Sequence, residues 1–201
     1  MNQTVVSKQD AGLVKGNVLL SLLAYIFKEL NQQQKEKFIS QISPEYKDKI
    51  INNNILPTHK VSVATLNELT ITAATIKGKP IKLFARDAGR FSAEVGMKST
   101  YNIYSKIRTP NVQLAKASVI WSNLYDKGQM QTLRIDKEKS IVKLTDIPTQ
   151  PVMCDRIYGW LERTNQLNGL ENVKVFHTKC FSLEHSHCEW EISWHKSLKV
   201  K

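Results

Sequence analysis

Three cysteines and three histidines of this chain are spaced so that a subset of them could hold one metal ion. Cys154 stands alone, and Cys180 and Cys188 follow close together. His177 lies three residues before Cys180, and His185 and His187 lie between the last two cysteines. The pattern is C-x22-H-x2-C-x7-C. Thiolate and imidazole donors in a set of four suit a closed tetrahedral Zn2+ site, which is structural because no position stays open for water. Free cysteines also pack as small buried hydrophobes. These spacings are not those of a standard zinc-finger pair, so from spacing alone packing and metal binding both stand. His185 and His187 remain open as substitutes for His177.

The elements that carry these residues follow from periodicity. Residues 11–30 place Leu13, Leu19, Leu20, Leu23, Ile26, Phe27 and Leu30 at helical spacing. Helices are predicted over 32–42 and, after Ser43 with Pro44 in a first-turn position, over 44–53. A long helical stretch covers 61–77, and 81–95 follows the Gly78-Lys79-Pro80 break, with Gly96 expected to end it. Residues 101–107 and 110–124 read as two more helical pieces. The period then changes to two. Alternation over 130–135 and 141–145 around a charged turn predicts a hairpin, and a helix follows over 151–168. In the last segment Cys188, Trp190, Ile192 and Trp194 alternate with Glu189, Glu191 and Ser193, so one face of that strand is buried. The helical part covers 8–125, with hairpins at 128–147 and 171–195. This order predicts an α+β fold, helices packed on one face of a four-stranded antiparallel sheet, as one domain over 1–201. Cys154 then starts the helix between the hairpins, while His177, Cys180 and Cys188 belong to the second hairpin.

Composition bounds the function. The chain is 41% hydrophobic and 23% charged, ordinary for a globular protein. Its net charge of +11 could steer it to nucleic acid, but the lysines are scattered, with no run of five or six basic residues. The longest apolar run, 18–27, is short of the roughly 20 residues a bilayer span needs. The polar start MNQTVVSKQD lacks the pattern of a signal peptide, and the cysteine count is odd. Both point to a reducing cytoplasm with free or metal-bound thiols. The GxGxxG, GxxxxGK[ST], HExxH and GxSxG patterns are absent from the sequence. Glu184, His185 and His187 near Cys180 could be drawn as bases beside a nucleophile, but a zinc-bound thiolate does not serve as one. The expectation is a non-enzymatic protein.

The ending from His177 through Cys180 to Cys188-Glu-Trp190-Glu-Ile192-Ser-Trp194 resembles the C-terminal signature of the four-vinyl-reductase-type small-molecule-binding domain. Relatives of that domain include sensor domains of bacterial aromatic-compound activators, a myxobacterial paralogous family and, more distantly, haem nitric-oxide sensors and Golgi tethering-complex subunits. The myxobacterial type is similar in Val14-Lys15-Gly16 entering an apolar helix, in Gly89-Arg90-Phe91, and in Gly159 before the last hairpin. The resemblance implies the same sheet-and-helix fold. It also implies a structural zinc on Cys154, Cys180 and Cys188, with His177 where the aromatic sensors carry an acidic ligand. The turn Phe181–His187 departs from the family in lacking its usual glycine and aspartate. Haem sensors use a helical histidine and a Tyr-x-Ser-x-Arg motif. Tyr104-Ser105-Lys106-Ile107-Arg108 misses that spacing, and the only histidine before His177 is His59, so haem is not expected.

The function expected is small-molecule sensing or protein interaction through an apolar pocket among the helices, with Phe84, Phe91, Tyr101, Tyr104 and Trp121 as candidate lining. Each of these aromatics can equally be plain core. The partners expected are a hydrophobic or aromatic ligand, a second copy of the chain in a homodimer, or another protein. Two alternatives stand beside it: a basic nucleic-acid-binding protein, and a dimeric scaffold whose pocket is filled by its own side chains.

Overall fold

Val14 and Val61 are both sealed from solvent, and they face each other across a short two-stranded ladder. The computed structural model describes residues 12–98 and 110–195; the helical piece expected at 101–107 lies outside them. Strand β1 (Leu13–Lys15) pairs antiparallel with β2 (Lys60–Ser62). The expectation of unbroken helix over 11–30 and 61–77 is corrected at both starts. A pairing between segments this far apart leaves no trace in a 3.6-residue period. Helix α1 (Gly16–Glu29) leaves β1 directly, with the Gly16 N–H donating to the His59 carbonyl at 2.6 Å.

The α1 face carrying Leu19, Leu22, Leu23 and Ile26 is buried, as its spacing requires. Helix α2 (Gln32–Gln41) starts at a capping box in which Asn31 and Gln34 each accept the other's backbone N–H. Helix α3 (Pro44–Ile51) begins on its proline, and α4 (Val63–Lys77) on Ser62, whose hydroxyl accepts from Ala64 N–H. Helix α5 (Ile81–Lys98) runs through Gly96 rather than ending there, a second correction. Helix α6 (Pro110–Leu124) then leads to the sheet. Among the described residues no helix is long and apolar enough to cross a membrane.

Strands β3 (Gln129–Arg134) and β4 (Lys139–Thr145) form the first hairpin. Helix α7 (Pro151–Leu167) joins it to the second, β5 (Glu171–Lys179) and β6 (Cys188–His195). The order across the sheet is β3-β4-β6-β5, antiparallel throughout, so the fold is the α+β arrangement that periodicity predicts. The inner face carries Val142, Leu144, Val175, Trp190 and Ile192, all buried in one core with the helices. The outer face is charged: Lys139 pairs with Glu191 at 2.8 Å, and Lys179 with Glu189 at 3.3 Å.

Helices α5 and α7 approach so closely that only glycine fits at the crossing. A Cβ on Gly159 would lie 1.9 Å from the Arg86 carbonyl oxygen, and one on Gly89 2.0 Å from that of Arg156. Ion pairs flank the contact, Arg86–Asp155 at 3.0 Å, Arg90–Glu162 at 2.6 Å and Arg163–Glu94 at 2.8 Å. This crossing positions α7, and α7 carries residues of both sites described next.

Candidate metal centre and helical cavity

The H-x2-C spacing poses a problem for a strand. Residues three apart point to opposite faces of a regular ladder. The structure solves it with a bulge. His177 pairs with Trp190 and Lys179 with Glu189, so one extra residue, Thr178, is inserted in β5 between these pairs. An inserted residue reverses the alternation, and Cys180 therefore comes to the same side as His177. The His177 ring stacks on the Trp190 indole at a centroid distance of 4.9 Å and 10° between planes. Cys188 opens β6 opposite Leu144. Cys154 enters from the first turn of α7, where its N–H donates to the Gln150 carbonyl.

These elements bring Cys154, His177, Cys180 and Cys188 together, with one ligand atom of each within 4.8 Å of all the others. The Cys154 sulfur is 3.5 Å from that of Cys188 and 3.8 Å from that of Cys180. A tetrahedron with zinc–sulfur bonds of about 2.3 Å has edges of about 3.8 Å. All three thiols are buried and none is in a disulfide. His177 Nε2 is buried and has no hydrogen-bond partner among the described residues. The residues present fit a metal: two sulfur–sulfur edges are close to the tetrahedral value, and the four donors converge to within 4.8 Å. The Cys3His cluster can hold a metal ion.

The surroundings favour thiolate. Hydrogen bonding from Cys154 brings the Cys188 thiol down to about 4 against the opposing effect of burial, and the Phe181 N–H and Thr149 hydroxyl assist. Cys180 is brought down to about 6 by the same donor, with help from Ser182. Cys154, which shares its proton with both, is pushed well up. His185 and His187 stand outside the cluster. The first reaches the Cys180 carbonyl at 3.2 Å, and the second pairs with Glu189 at 3.4 Å.

A cavity of about 130 Å3 lies among the helices. Its walls come from α1 (Val18, Ser21), α5 (Gly89, Ser92), α6 (Ile120, Trp121), α7 (Ile157, Trp160) and Met130 of β3. Of the five aromatics expected to line a pocket, Trp121 does so. Its indole N–H donates to the Lys127 and Gly128 carbonyls, and its ring stacks on Tyr125 at 3.9 Å. Phe84 and Phe91 are not in the wall; they pack on Tyr25 instead, Phe84 edge-on at 5.1 Å. Phe84 lies seven residues before Phe91, two helical turns along the α5 face that meets α1. Tyr101 and Tyr104 lie outside the described residues. Periodicity marked none of the small residues, Gly89, Ser92 and Ala117, whose short side chains leave the space.

The sequence matches no known family, and no curated protein matches it. Solved structures do match in fold. An H-NOX protein from S. oneidensis in its Fe(II)NO state is 12% identical, with a TM-score of 0.71 over 90% of this chain and 99% of that one. An unliganded Fe(II) H-NOX protein from K. algicida is 11% identical, with a TM-score of 0.69 over 93% and 100%. The H-NOX domain of Shewanella oneidensis in its Fe(II)CO state is 13% identical, with a TM-score of 0.70 over 90% and 98%. At this identity the likeness establishes the fold.

The Fe(II) of those proteins raises the question of an iron porphyrin here, and the cavity answers it on its own residues. None of the chain's five histidines or three cysteines is in the wall. A void of about 150 Å3 holds one benzene ring, so about 130 Å3 is the space of a single ring. The cavity residues do not fit a haem held by imidazole or thiolate.

Proposed function

We propose that this chain is a non-enzymatic small-molecule-binding module of the sensor type, braced by a structural zinc ion. The observation that carries the binding half is the ring-sized, mostly apolar cavity framed by α1, α5, α6 and α7. The H-NOX proteins of the same fold, which hold Fe(II) bound to NO or CO, support a sensing role. The zinc half rests on Cys154, His177, Cys180 and Cys188. Soft donors at tetrahedral spacing suit zinc over magnesium or calcium. Four protein ligands leave no position for a substrate, so zinc there would clip the second hairpin to the start of α7 and do no chemistry.

Two measurements on untagged protein test this. Elemental analysis should give one zinc per chain. Native mass spectrometry, followed by organic extraction, should find a small organic molecule, or a thermal-shift screen should find one that stabilises the fold. Metal-free protein of undiminished stability would remove the zinc. Protein that neither carries nor responds to any small organic compound would leave a scaffold.

A further inference from the structure

Helix α7 carries an arginine that its surroundings leave unsatisfied. Arg156 is 5% exposed, and both terminal nitrogens, Nη1 and Nη2, are buried without a hydrogen-bond partner among the described residues. The neighbouring arginines show the contrast. Arg86 meets Asp155, Arg90 meets Asp87 and Glu162, and Arg163 meets Glu94, each at the surface of the same crossing. Arg156 makes no such pair among the described residues. It lies in the cavity wall beside Ile157 and, one turn on, Trp160. A buried guanidinium without hydrogen-bond partners is costly to the fold unless something pairs with it. Asn17 adds a second loose end in the same wall, because its buried Oδ1 also lacks a partner. By contrast, the Ser21 and Ser92 hydroxyls in this wall satisfy each other at 3.0 Å.

We propose that the cavity binds a compact organic monocarboxylate, aromatic or branched, with Arg156 as its anchor and Asn17 as an acceptor for a ligand hydroxyl or amine. The inference rests on the small-molecule reading above and names the ligand class. Two free nitrogens on one planar fork match the two oxygens of a carboxylate. One positive charge balances a monoanion, whereas a phosphate dianion would leave a second charge uncompensated, since Arg156 is the one charged residue among the described residues of the wall. The volume admits one ring or a short branched chain. Apolar walls take up the body of such an acid while the fork takes its head.

The test uses benzoate and isovalerate against benzyl alcohol, a neutral analogue of benzoate, by calorimetry on the full chain. Arg156→Gln removes the charge and Arg156→Lys keeps it without the fork. Arg156→Gln removes a buried unpaired charge and should fold, and a melting curve on each variant establishes that it is folded before titration. Benzoate or isovalerate should bind the parent protein and weaken at least about tenfold in Arg156→Gln, the scale of a lost charge-assisted pair. Arg156→Lys should fall between them, and benzyl alcohol should bind parent and variants alike. If benzyl alcohol binds and the acids do not, or if the acids bind parent and Arg156→Gln equally, the anchor is overturned while the small-molecule reading survives. If no acid and no neutral compound binds, both fall together.

Discussion

The cysteine corner and the helical cavity each hold buried polar atoms that the protein leaves without partners, yet they ask for different occupants. At the corner, His177 Nε2 is buried without a hydrogen-bond partner among the described residues, and one ligand atom of each of the four residues lies within 4.8 Å of the others. In the cavity, Arg156 Nη1 and Nη2 and Asn17 Oδ1 border about 130 Å3 of mostly apolar space. Convergent soft donors with no room between them select an ion. A donor pair beside empty apolar space selects an organic acid. Helix α7 supplies a residue to each, Cys154 in its first turn and Arg156 two positions later. Side chains two positions apart on a helix point about 200° apart, so one helix can serve two sites on different faces.

The sharpest break in this comparison comes from the corner. Replacing Cys154 or Cys188 with serine should abolish stoichiometric zinc and lower the melting temperature by about 10 °C, since structural zinc contributes folding free energy directly and each kcal/mol is about 2–4 °C at this length. Calorimetry with elemental analysis reads both; a variant that keeps one zinc and its melting temperature would show that the thiol is core packing alone. His177→Ala should weaken zinc at least about tenfold, whereas His185→Ala and His187→Ala should leave its content at one per chain. Zinc loss in the latter pair, with none in His177→Ala, would exchange the fourth ligand.

A second break separates the regions. Gly159→Ala places a Cβ against the Arg86 backbone, which has no flexible end to move aside. The expected cost is about 3 kcal/mol in equilibrium urea unfolding. Zinc should remain, because the corner lies beyond the crossing, while binding in the cavity should weaken, because α5 and α7 both form its wall. Unchanged stability would mean that the helices do not meet this tightly.

Much of the corner was legible before the structure, and much of the cavity was not. Strict alternation in Cys188, Trp190, Ile192 and Trp194 announced the inner face of β6, and all four are buried. The bulge at Thr178 was hidden, although an odd spacing between two ligands on one strand is itself a signal that the alternation must break. The β1–β2 ladder was invisible because three-residue strands have no period of their own. Arg156 belongs to no basic run and no motif, so charge pattern alone does not single it out. Its helical position told otherwise: it falls three residues after Met153 and four before Trp160, on an apolar stripe where a charge is out of place. Phe84 and Phe91 misled because aromatic content alone does not tell which face of α5 meets the core and which meets a void.

The smallest effect concerns the surface that holds α5 in place. Burial opposes ionisation of Asp87, but hydrogen bonds from Lys79 and Arg90 outweigh it and hold the carboxyl below its ordinary range. A carboxylate whose folded value is depressed stabilises the protein above its unfolded value, about 3.9, and loses that contribution as pH falls through the folded value. Asp87→Asn should therefore cost stability at neutral pH, and the cost should shrink at acid pH as the parent carboxyl is protonated in its turn. The side chain keeps 30% of its surface in water, so screening limits the loss to about 1 kcal/mol or less. Urea titrations of parent and variant at both pH values read the difference. An equal cost at both would show that Asp87 acts through packing rather than charge. Because the charge lies outside the cavity and far from the sulfurs, neither zinc content nor benzoate affinity should follow it, which sets the scale against which effects at either site are judged.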